Sequence, residues 1–357
     1  MKIVAYSDLH AHPFKGGQII SEGRNSRVDD AVAVINQVYD HATLLEDPVV
    51  LFGGDLFDRR KSLDVDTFNR IHATIMDRSM ETCRTIMIPG NHDQANKSGS
   101  IHALERFNAS YCTVVSEPRW LNVGDGIGVF AAPYVDDGED IAASVAVGLS
   151  ERPEWAESAV LLMHYGVQGA KVGPADYVLP CELELPMLHP DQWNLMLSGH
   201  YHMGQQLGDR FHYIGSAMQH RWDDVGDTKS FMVIDPEDWS IERVATNAPQ
   251  FLVITGKTKD YDVENCFVKI VRDYEIEAEK KERLRRKLLE RGALSVIIEP
   301  PSVKPSKNMS ERIEFSEDRG AFGILEDYIN SDLVGTGGLD TERLISVGKG
   351  ILEQASA

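Results

Sequence analysis

The sequence predicts an α/β protein in which two packed sheets are flanked by helices and followed by a small αβ unit and a helical C-terminal tail. Two observations lead to this fold class. Short apolar runs typical of buried strands alternate with helical patterns around residues 28–46 and 64–79. After residue 248 the pattern changes to a charged helix between two apolar strands, and a Pro-rich stretch then precedes two amphipathic segments.

Apolar runs that predict buried strands each end in polar side chains able to bind a metal. In chain order the runs are 2–6, 49–52, 85–88, 159–163 and 194–197, and they lead to Asp8 and His10, to Asp55, to Asn91 and His92, to His164, and to His200 and His202. Residues i and i+2 of a strand point to the same side, and open α/β sheets bind ligands at the carboxyl ends of their strands. Each motif alone has an ordinary explanation as a turn, a surface loop or a core histidine. All of them in this order indicate a two-metal site.

The remaining segments of the N-terminal part complete one predicted domain, residues 1–248. Residues 137–158 are expected to be helical, and the Gly- and Pro-rich segment 165–190 is expected to be a long loop at the rim of the site. Strands near 212–215, 230–234 and 241–244 are expected to form a second sheet.

Beyond residue 248 the sequence predicts three smaller parts. Residues 249–299 form a capping domain, with strands at 266–271 and 294–298 around a helix at 276–291. Residues 300–320 are a linker by composition, and residues 321–357 are a helical tail. The apolar residues of the tail have helical spacing, so the tail either binds a partner or packs back on the core. These residues are Phe322, Ile324, Leu325, Tyr328, Ile329, Leu344, Ile345, Val347, Ile351 and Leu352.

Composition limits the class of protein. The chain has 357 residues, of which 42% are hydrophobic, so it can bury a sizeable core. Its four cysteines form no Cys-x-x-Cys pair, and no apolar run approaches the length of a membrane span. A cytoplasmic protein without membrane association is therefore expected. The formal net charge of −20 argues against tight autonomous binding to DNA.

The polar motifs carry a resemblance to a known superfamily. The series Asp8-x-His10, Gly54-Asp55, Gly90-Asn91-His92-Asp93, His164 and Gly199-His200-x-His202 resembles the motifs of the calcineurin-like metallophosphoesterases. Within that superfamily the chain is similar to SbcD-type nuclease subunits and their phage counterparts, the recombination endonuclease subunits. The resemblance implies a four-layer αββα metallophosphoesterase sandwich with an αβ capping domain and a helical tail.

The narrower similarity to SbcD-type subunits rests on a few segments. They are the run from Asp55 to Asp58, the segment 213–217 with the strand that follows it, and the acidic helical tail. Ala217 departs from the usual proline. Asp58 stands where archaeal and eukaryotic relatives have a histidine, so an acid role at that position does not carry over.

The resemblance also implies a ligand set and a mechanism. Asp8, His10, Asp55 and His202 would hold one metal; Asp55, Asn91, His164 and His200 would hold the other, with Asp55 as the bridge. Manganese is the implied metal, and imidazole and oxygen ligands without a thiolate suit it. His92 would stabilise or protonate the leaving oxygen, and Asp93 would orient His92.

The function implied is a metal-dependent DNA exonuclease and endonuclease subunit of an SbcCD-like recombination and repair complex. Its expected partners are DNA and an SbcC-like coiled-coil ATPase, with a second copy of the chain as a further option. Arg24 and Arg27 are candidate contacts for substrate phosphate, and the alternative is a solvated loop tip. Two other functions are considered: a stand-alone phosphoesterase for small nucleotides or phosphoproteins, and a non-catalytic binding module on the same fold.

Overall fold

The computed structural model describes residues 1–14, 24–172, 177–178, 181–299 and 340–356. The chain forms two compact units, one made of residues 1–271 with 276–299 and the other of residues 272–275 with 300–357. No helix among the described residues has the length and hydropathy needed to cross a membrane.

The described helices and strands follow the predicted alternation. The helices are α1 (Ser26–Ala42), α2 (Val65–Glu81), α3 (Gly138–Ser150), α4 (Ala278–Leu289) and α5 (Thr341–Ser356). The strands are β1 (Lys2–Tyr6), β2 (Pro48–Phe52), β3 (Thr85–Met87), β4 (Cys112–Val114), β5 (Arg119–Gly124), β6 (Ile127–Ala132), β7 (Ser158–His164), β8 (Lys171–Val172), β9 (Tyr177–Val178), β10 (Leu195–Gly199), β11 (Gln205–Leu207), β12 (Phe211–Tyr213), β13 (Ser230–Asp235), β14 (Ser240–Ala245), β15 (Gln250–Ile254), β16 (Cys266–Ile270) and β17 (Ser295–Ile298).

Two six-stranded sheets form the body of the first unit. Their strand orders are β14-β13-β1-β2-β3-β4 and β11-β12-β10-β7-β6-β5. Alternate residues of β1 face opposite ways, as the period of a strand requires. Ile3 and Ala5 join a core shared with Val160 and Leu162 of the second sheet, whereas Val4 lies in the core on the other face.

Helices cover the outer face of each sheet. Val34 and Ile35 of α1 and Ile71 of α2 pack on the outer face of the first sheet. Ile141 and Val145 of α3 pack on the second sheet. The layers are therefore α, β, β and α, and the predicted sandwich is confirmed.

The prediction that strands near 212–215, 230–234 and 241–244 form one sheet is wrong. β12 pairs in parallel with β10 in the second sheet, whereas β13 pairs antiparallel with β1 in the first. Met232 and Ile234 of β13 fill the core between the sheets beside Ile3, which lies directly opposite Ile234. Burial next to β1 outweighs the proximity of β12 and β13 along the chain.

The segment beyond residue 248 has the predicted strand–helix–strand elements and one more strand. β15, which the sequence did not predict, joins β16 and β17 in a parallel three-stranded sheet. Leu288 of α4 packs with Val268 and Val296 on this sheet. The boundaries of a capping domain remain a prediction. The linker 300–320 and the apolar residues of 321–339 lie outside the described residues.

Candidate metal centre

The predicted ligands meet where the carboxyl ends of strands from both sheets come together. Asp8, His10, Asp55 and Asn91 follow strands of the first sheet, whereas His164, His200 and His202 end or follow strands of the second. Backbone contacts fasten these loops to one another. The amide of His10 donates to the carbonyl of Asp55 at 3.0 Å, and the amide of His200 donates to Asp8 Oδ1 at 3.0 Å.

The first ligand group is formed by Asp8, His10 and His202 together with Asp55. One ligand atom from each of Asp8, His10 and His202 lies within 4.8 Å of the others. His10 Nε2 lies 3.1 Å from His202 Nε2 and 3.6 Å from Asp55 Oδ2. These are the four residues predicted to hold one metal, and that assignment stays a prediction.

The second ligand group also contains Asp55. Its Oδ2 lies 3.3 Å from His164 Nε2. Asn91 Oδ1 lies 3.1 Å from both His164 Nε2 and His200 Nδ1. Asp55 Oδ2 thus faces both groups, while its Oδ1 accepts a hydrogen bond from the His92 amide at 2.8 Å.

The charges of the site fit divalent cations. Asp8 and Asp55 are both buried, and in the described part of the chain neither forms an ion pair with a lysine or arginine. Burial raises the pKa of Asp8. Burial acts the same way on Asp55, but the charge and the hydrogen bond of His164 hold the pKa of that carboxyl well below its usual value. Two buried carboxylates without a fixed cation are costly, so the residues present suit a bound metal.

Three of the four imidazoles supply neutral nitrogen ligands. At His164 the Asp55 carboxylate outweighs burial and raises the pKa to about 9, so a metal would have to displace a proton from that ring. Burial lowers the pKa of His10 and His202, and it lowers that of His200 to about 3. A neutral ring keeps a lone pair for a metal. His164 Nδ1 bonds the carbonyl of Gly53 at 2.7 Å, which directs Nε2 toward Asp55 and Asn91. His10 Nδ1 is buried and has no hydrogen-bond partner among the described residues.

The backbone of the site is strained at the ligands themselves. Asp8, His10, Asp55 and His200 have positive φ angles of 52°, 44°, 58° and 89°. Non-glycine residues rarely adopt this region, and such strain is typical of functional sites. The loops also approach too closely for a side chain at Gly90, where a Cβ would lie 2.3 Å from Asp55 Oδ1.

His92 lies beside the ligands and is held by the loop after β2. Its Nδ1 bonds the carbonyl oxygen of Asp58 at 2.7 Å, and a ring nitrogen lies within 4.8 Å of ligand atoms of His10 and Asp55. A carbonyl can only accept, so Nδ1 carries the proton of this bond and Nε2 is left for acid–base chemistry.

The prediction that Asp93 orients His92 is wrong. The Asp93 carboxylate is buried and accepts hydrogen bonds from the backbone amides of Asp55, Leu56, Phe57 and Gly90, at 2.8, 3.0, 3.1 and 3.0 Å. Its side chain therefore ties two metal-binding loops together, and the orienting contact of His92 comes from a backbone carbonyl.

Arg27 is not placed to contact substrate phosphate. Its guanidinium is buried, donates to the carbonyl of Gln219 and to Asp30, and lies over the ring of Phe267 at 5.6 Å. It stabilises the packing of α1 against the three-stranded sheet. Arg24 precedes α1, and its role in binding substrate stays a prediction.

The sequence did not identify three residues around the ligands: His220, Asp224 and Lys229. His220 bonds the carbonyl of Asp8 through Nε2 at 2.9 Å, and its ring packs against His10 and His202. Lys229 is buried and donates to the His202 carbonyl and to Asp224, both at 3.0 Å. Little in the sequence indicates their role, because they lie far along the chain from the motifs and belong to no pattern whose spacing predicts a place at the site.

Comparison with known proteins places the chain in a family. The calcineurin-like phosphoesterase profile matches residues 1–204. The protein 078R of Invertebrate iridescent virus 3, named as a phosphoesterase, is 28% identical over 209 residues, which cover 57% of this chain and 57% of that protein. The similarly named 244L of Invertebrate iridescent virus 6 is 24% identical over 202 residues, covering 53% of this chain and 65% of 244L. The chain thus spans less than two thirds of the length of either viral relative.

A solved structure gives a weaker likeness. The dimetal phosphatase from Danio rerio is 12% identical, covers 65% of this chain and 91% of its own, and superposes with a TM-score of 0.40, too low to support an argument about function. The family profile, by contrast, covers more than half of the 357 residues, including the motifs from Asp8 to His202. The chain belongs to the calcineurin-like phosphoesterase family.

Proposed function

We propose that the protein is a metal-dependent DNA nuclease that hydrolyses phosphodiester bonds as the exonuclease and endonuclease subunit of an SbcCD-like recombination and repair complex. The observation that carries the chemistry is the position of His92. Its ring is fixed at Nδ1 by the Asp58 carbonyl and adjoins ligand atoms of both His10 and Asp55. An imidazole held in this way can stabilise or protonate the oxygen that leaves phosphorus beside the ligands.

The ligand groups would hold two divalent ions, and manganese is the proposed metal. Asp8, His10 and His202 would bind one ion; Asn91, His164 and His200 would bind the other, with Asp55 Oδ2 facing both. When bound, the two ions would lower the pKa of a water molecule and neutralise charge on the phosphate oxygens.

The residues around this centre perform the proton transfer and the positioning. A water molecule passes one proton to solvent and attacks phosphorus, and the bond from phosphorus to the sugar oxygen breaks. His92 gives its Nε2 proton to that oxygen and then regains a proton from solvent. An alkoxide is a poor leaving group, so a positioned acid contributes roughly 10²–10⁴-fold. Asp93 keeps the loops of Asp55 and His92 in register through its four backbone hydrogen bonds.

Two features support a DNA substrate and a protein partner. The chain carries a three-stranded sheet and the amphipathic helix α5 beyond the residues matched by the family profile, and a small-molecule phosphatase has no evident need of them. The net charge of −20 disfavours holding duplex DNA unaided, so an SbcC-like ATPase is the proposed means of holding it.

The test compares substrates with manganese present and after treatment with a chelator. Linear duplex DNA, single-stranded DNA and bis(p-nitrophenyl) phosphate should be cleaved in preference to the monoester p-nitrophenyl phosphate. His92→Ala should lower the rate on DNA roughly 10²–10⁴-fold while metal content stays unchanged. His72→Ala is a matched control, because the His72 ring also bonds a backbone carbonyl, that of Arg106, and its loss should leave the rate intact.

The other functions are outcomes of the same assay. Cleavage of monoesters alone would favour the stand-alone phosphoesterase acting on small nucleotides or phosphoproteins. Bound metals without hydrolysis of any substrate would favour the non-catalytic binding module. Normal activity of His92→Ala would remove His92 from the mechanism.

A further inference from the structure

Three consecutive cations border the metal centre. Arg59, Arg60 and Lys61 are exposed and directly follow Asp58, the residue whose carbonyl holds His92. In a chain with 56 acidic residues against 36 Lys and Arg, such a run beside the site calls for an explanation.

These cations have no partner of their own within the part of the chain that the structure describes. No hydrogen bond or ion pair links Arg59, Arg60 or Lys61 to another described residue. The acids that follow them are engaged elsewhere. Asp64 Oδ1 accepts from the Thr67 amide at 2.9 Å at the start of α2, and Asp66 lies 3.9 Å from Arg70. The positive charge of the run is therefore left for a ligand or for solvent.

A cavity of about 340 Å³ lies between this run and the loop that follows the ligand His10. Arg59 is the member of the run that lines it, together with His12, Ser62 and Asp64. The Asp64 carboxylate in this lining is held by the amide and the hydroxyl of Thr67, at 2.9 and 2.8 Å. His12 Nδ1 bonds the carbonyl of His10 at 2.7 Å, so its other nitrogen remains available to a ligand. The volume falls at the lower end of the range of about 300–1,000 Å³ found for ligand pockets.

We propose that Arg59, Arg60 and Lys61, with the cavity beside His12, bind backbone phosphates that flank the scissile bond, so that the substrate is a polynucleotide strand. This proposal rests on the nuclease activity proposed above. Arg and Lys that neutralise phosphates release counterions, so binding weakens with salt, with a slope of about −0.7 per contact for single strands. Such contacts add nothing to a substrate that has a single phosphate.

The test uses the full chain with all three residues changed: Arg59→Ala, Arg60→Ala and Lys61→Ala. The control variant carries Arg283→Ala, Arg286→Ala and Lys287→Ala on the exposed face of α4. It also loses two arginines and one lysine, so its net charge changes by the same amount. Two substrates are compared, an oligothymidylate strand and bis(p-nitrophenyl) phosphate. Binding of the labelled strand is also measured by fluorescence anisotropy in EDTA over a range of NaCl concentrations.

For the Arg59–Lys61 variant, the ratio of kcat/KM for the strand to that for the small diester should fall roughly tenfold or more, and the salt slope of binding should weaken by about 2. The control should change neither quantity. An unchanged ratio and slope, or an equal loss in the control, would overturn the proposal. If the wild-type chain cleaves neither substrate, the proposed function fails, yet the anisotropy series in EDTA still decides whether this segment binds backbone phosphates.

Discussion

Asp93→Asn separates a structural role of this carboxylate from a catalytic one. Each of the two Asp93 oxygens accepts two backbone hydrogen bonds. Oδ1 accepts from the amides of Leu56 and Phe57, and Oδ2 accepts from the amides of Asp55 and Gly90. The asparagine amide group has one oxygen and one NH₂. Whichever way it turns, two of the four backbone amides face a donor instead of an acceptor.

The size of the effect follows from those two lost bonds. A buried donor left without an acceptor costs roughly 1–3 kcal/mol, so Asp93→Asn should lower the free energy of unfolding by about 2–6 kcal/mol. Natural domains have only about 5–15 kcal/mol of stability, so the loss is large. Asp93→Ala leaves all four backbone amides without an acceptor. It should lower the free energy of unfolding by at least as much, unless water enters the space.

The assay is urea unfolding in EDTA, which removes any contribution from metal binding. Amide hydrogen exchange in the segment 54–57 should also rise sharply. Asp137→Asn is the control, because Asp137 caps α3 with a single bond to the Glu139 amide, and asparagine caps equally well. If Asp93→Asn unfolds within about 0.5 kcal/mol of wild type, yet loses nuclease rate, the carboxylate acts on His92 after all.

The remaining predictions concern the shared ligand and the tail. Asp55→Asn should deplete both metals together, because a neutral amide is a poorer bridge, and its activity should fall below that of His10→Ala; metal analysis showing loss of one ion only would argue against a bridge. Truncation after Glu299, at the border between the two compact units, should leave a folded, metal-loaded phosphoesterase that no longer co-purifies with an SbcC-like ATPase. Thermal melting and pull-down would check this: unchanged binding would place the docking site elsewhere, and failure to fold would make the tail part of the core.

The sequence predicts that the candidate ligands meet, because each of their motifs follows a buried strand. Asp8 and His10 directly follow the buried strand β1, and His200 and His202 directly follow β10. Their own backbone is not extended, since Asp8, His10 and His200 have positive φ angles, so it is their position at the carboxyl end of a strand that the sequence reveals. Asp8 and His10 meet Asp55 because β1 and β2 are parallel neighbours that end at the same edge of the first sheet. His200 and His202 reach the same place from the second sheet, through the packing of the two sheets. The position of each motif after its strand is a local feature, which a sequence records directly.

The roles of Asp93 and Arg27 could not be predicted in the same way. Asp93 is next to His92 in the sequence, but its carboxylate oxygens accept hydrogen bonds from backbone amides of a turn that starts at Asp55, 38 residues earlier. Arg27 adjoins a plausible phosphate loop, but α1 turns its guanidinium toward Phe251 and Phe267, more than 220 residues away along the chain. In both cases the direction of the side chain depends on tertiary packing, which the spacing of nearby residues in the sequence does not predict.

The strained backbone at the ligands indicates that the two-sheet core fixes the directions of the ligand side chains. Asp8, His10, Asp55 and His200 occupy the left-handed region, which costs about 1–3 kcal/mol per residue and therefore requires compensation. The compensation is visible in bonds that need no metal. The Asp8 amide donates to Gly54, the His10 amide to Asp55, and the His200 amide to the Asp8 carboxylate of the other sheet. Because these bonds join the ends of β1, β2 and β10, the packing of one sheet on the other fixes the ligand directions. A substitution that shifts the sheets should therefore weaken metal binding even when every ligand is intact.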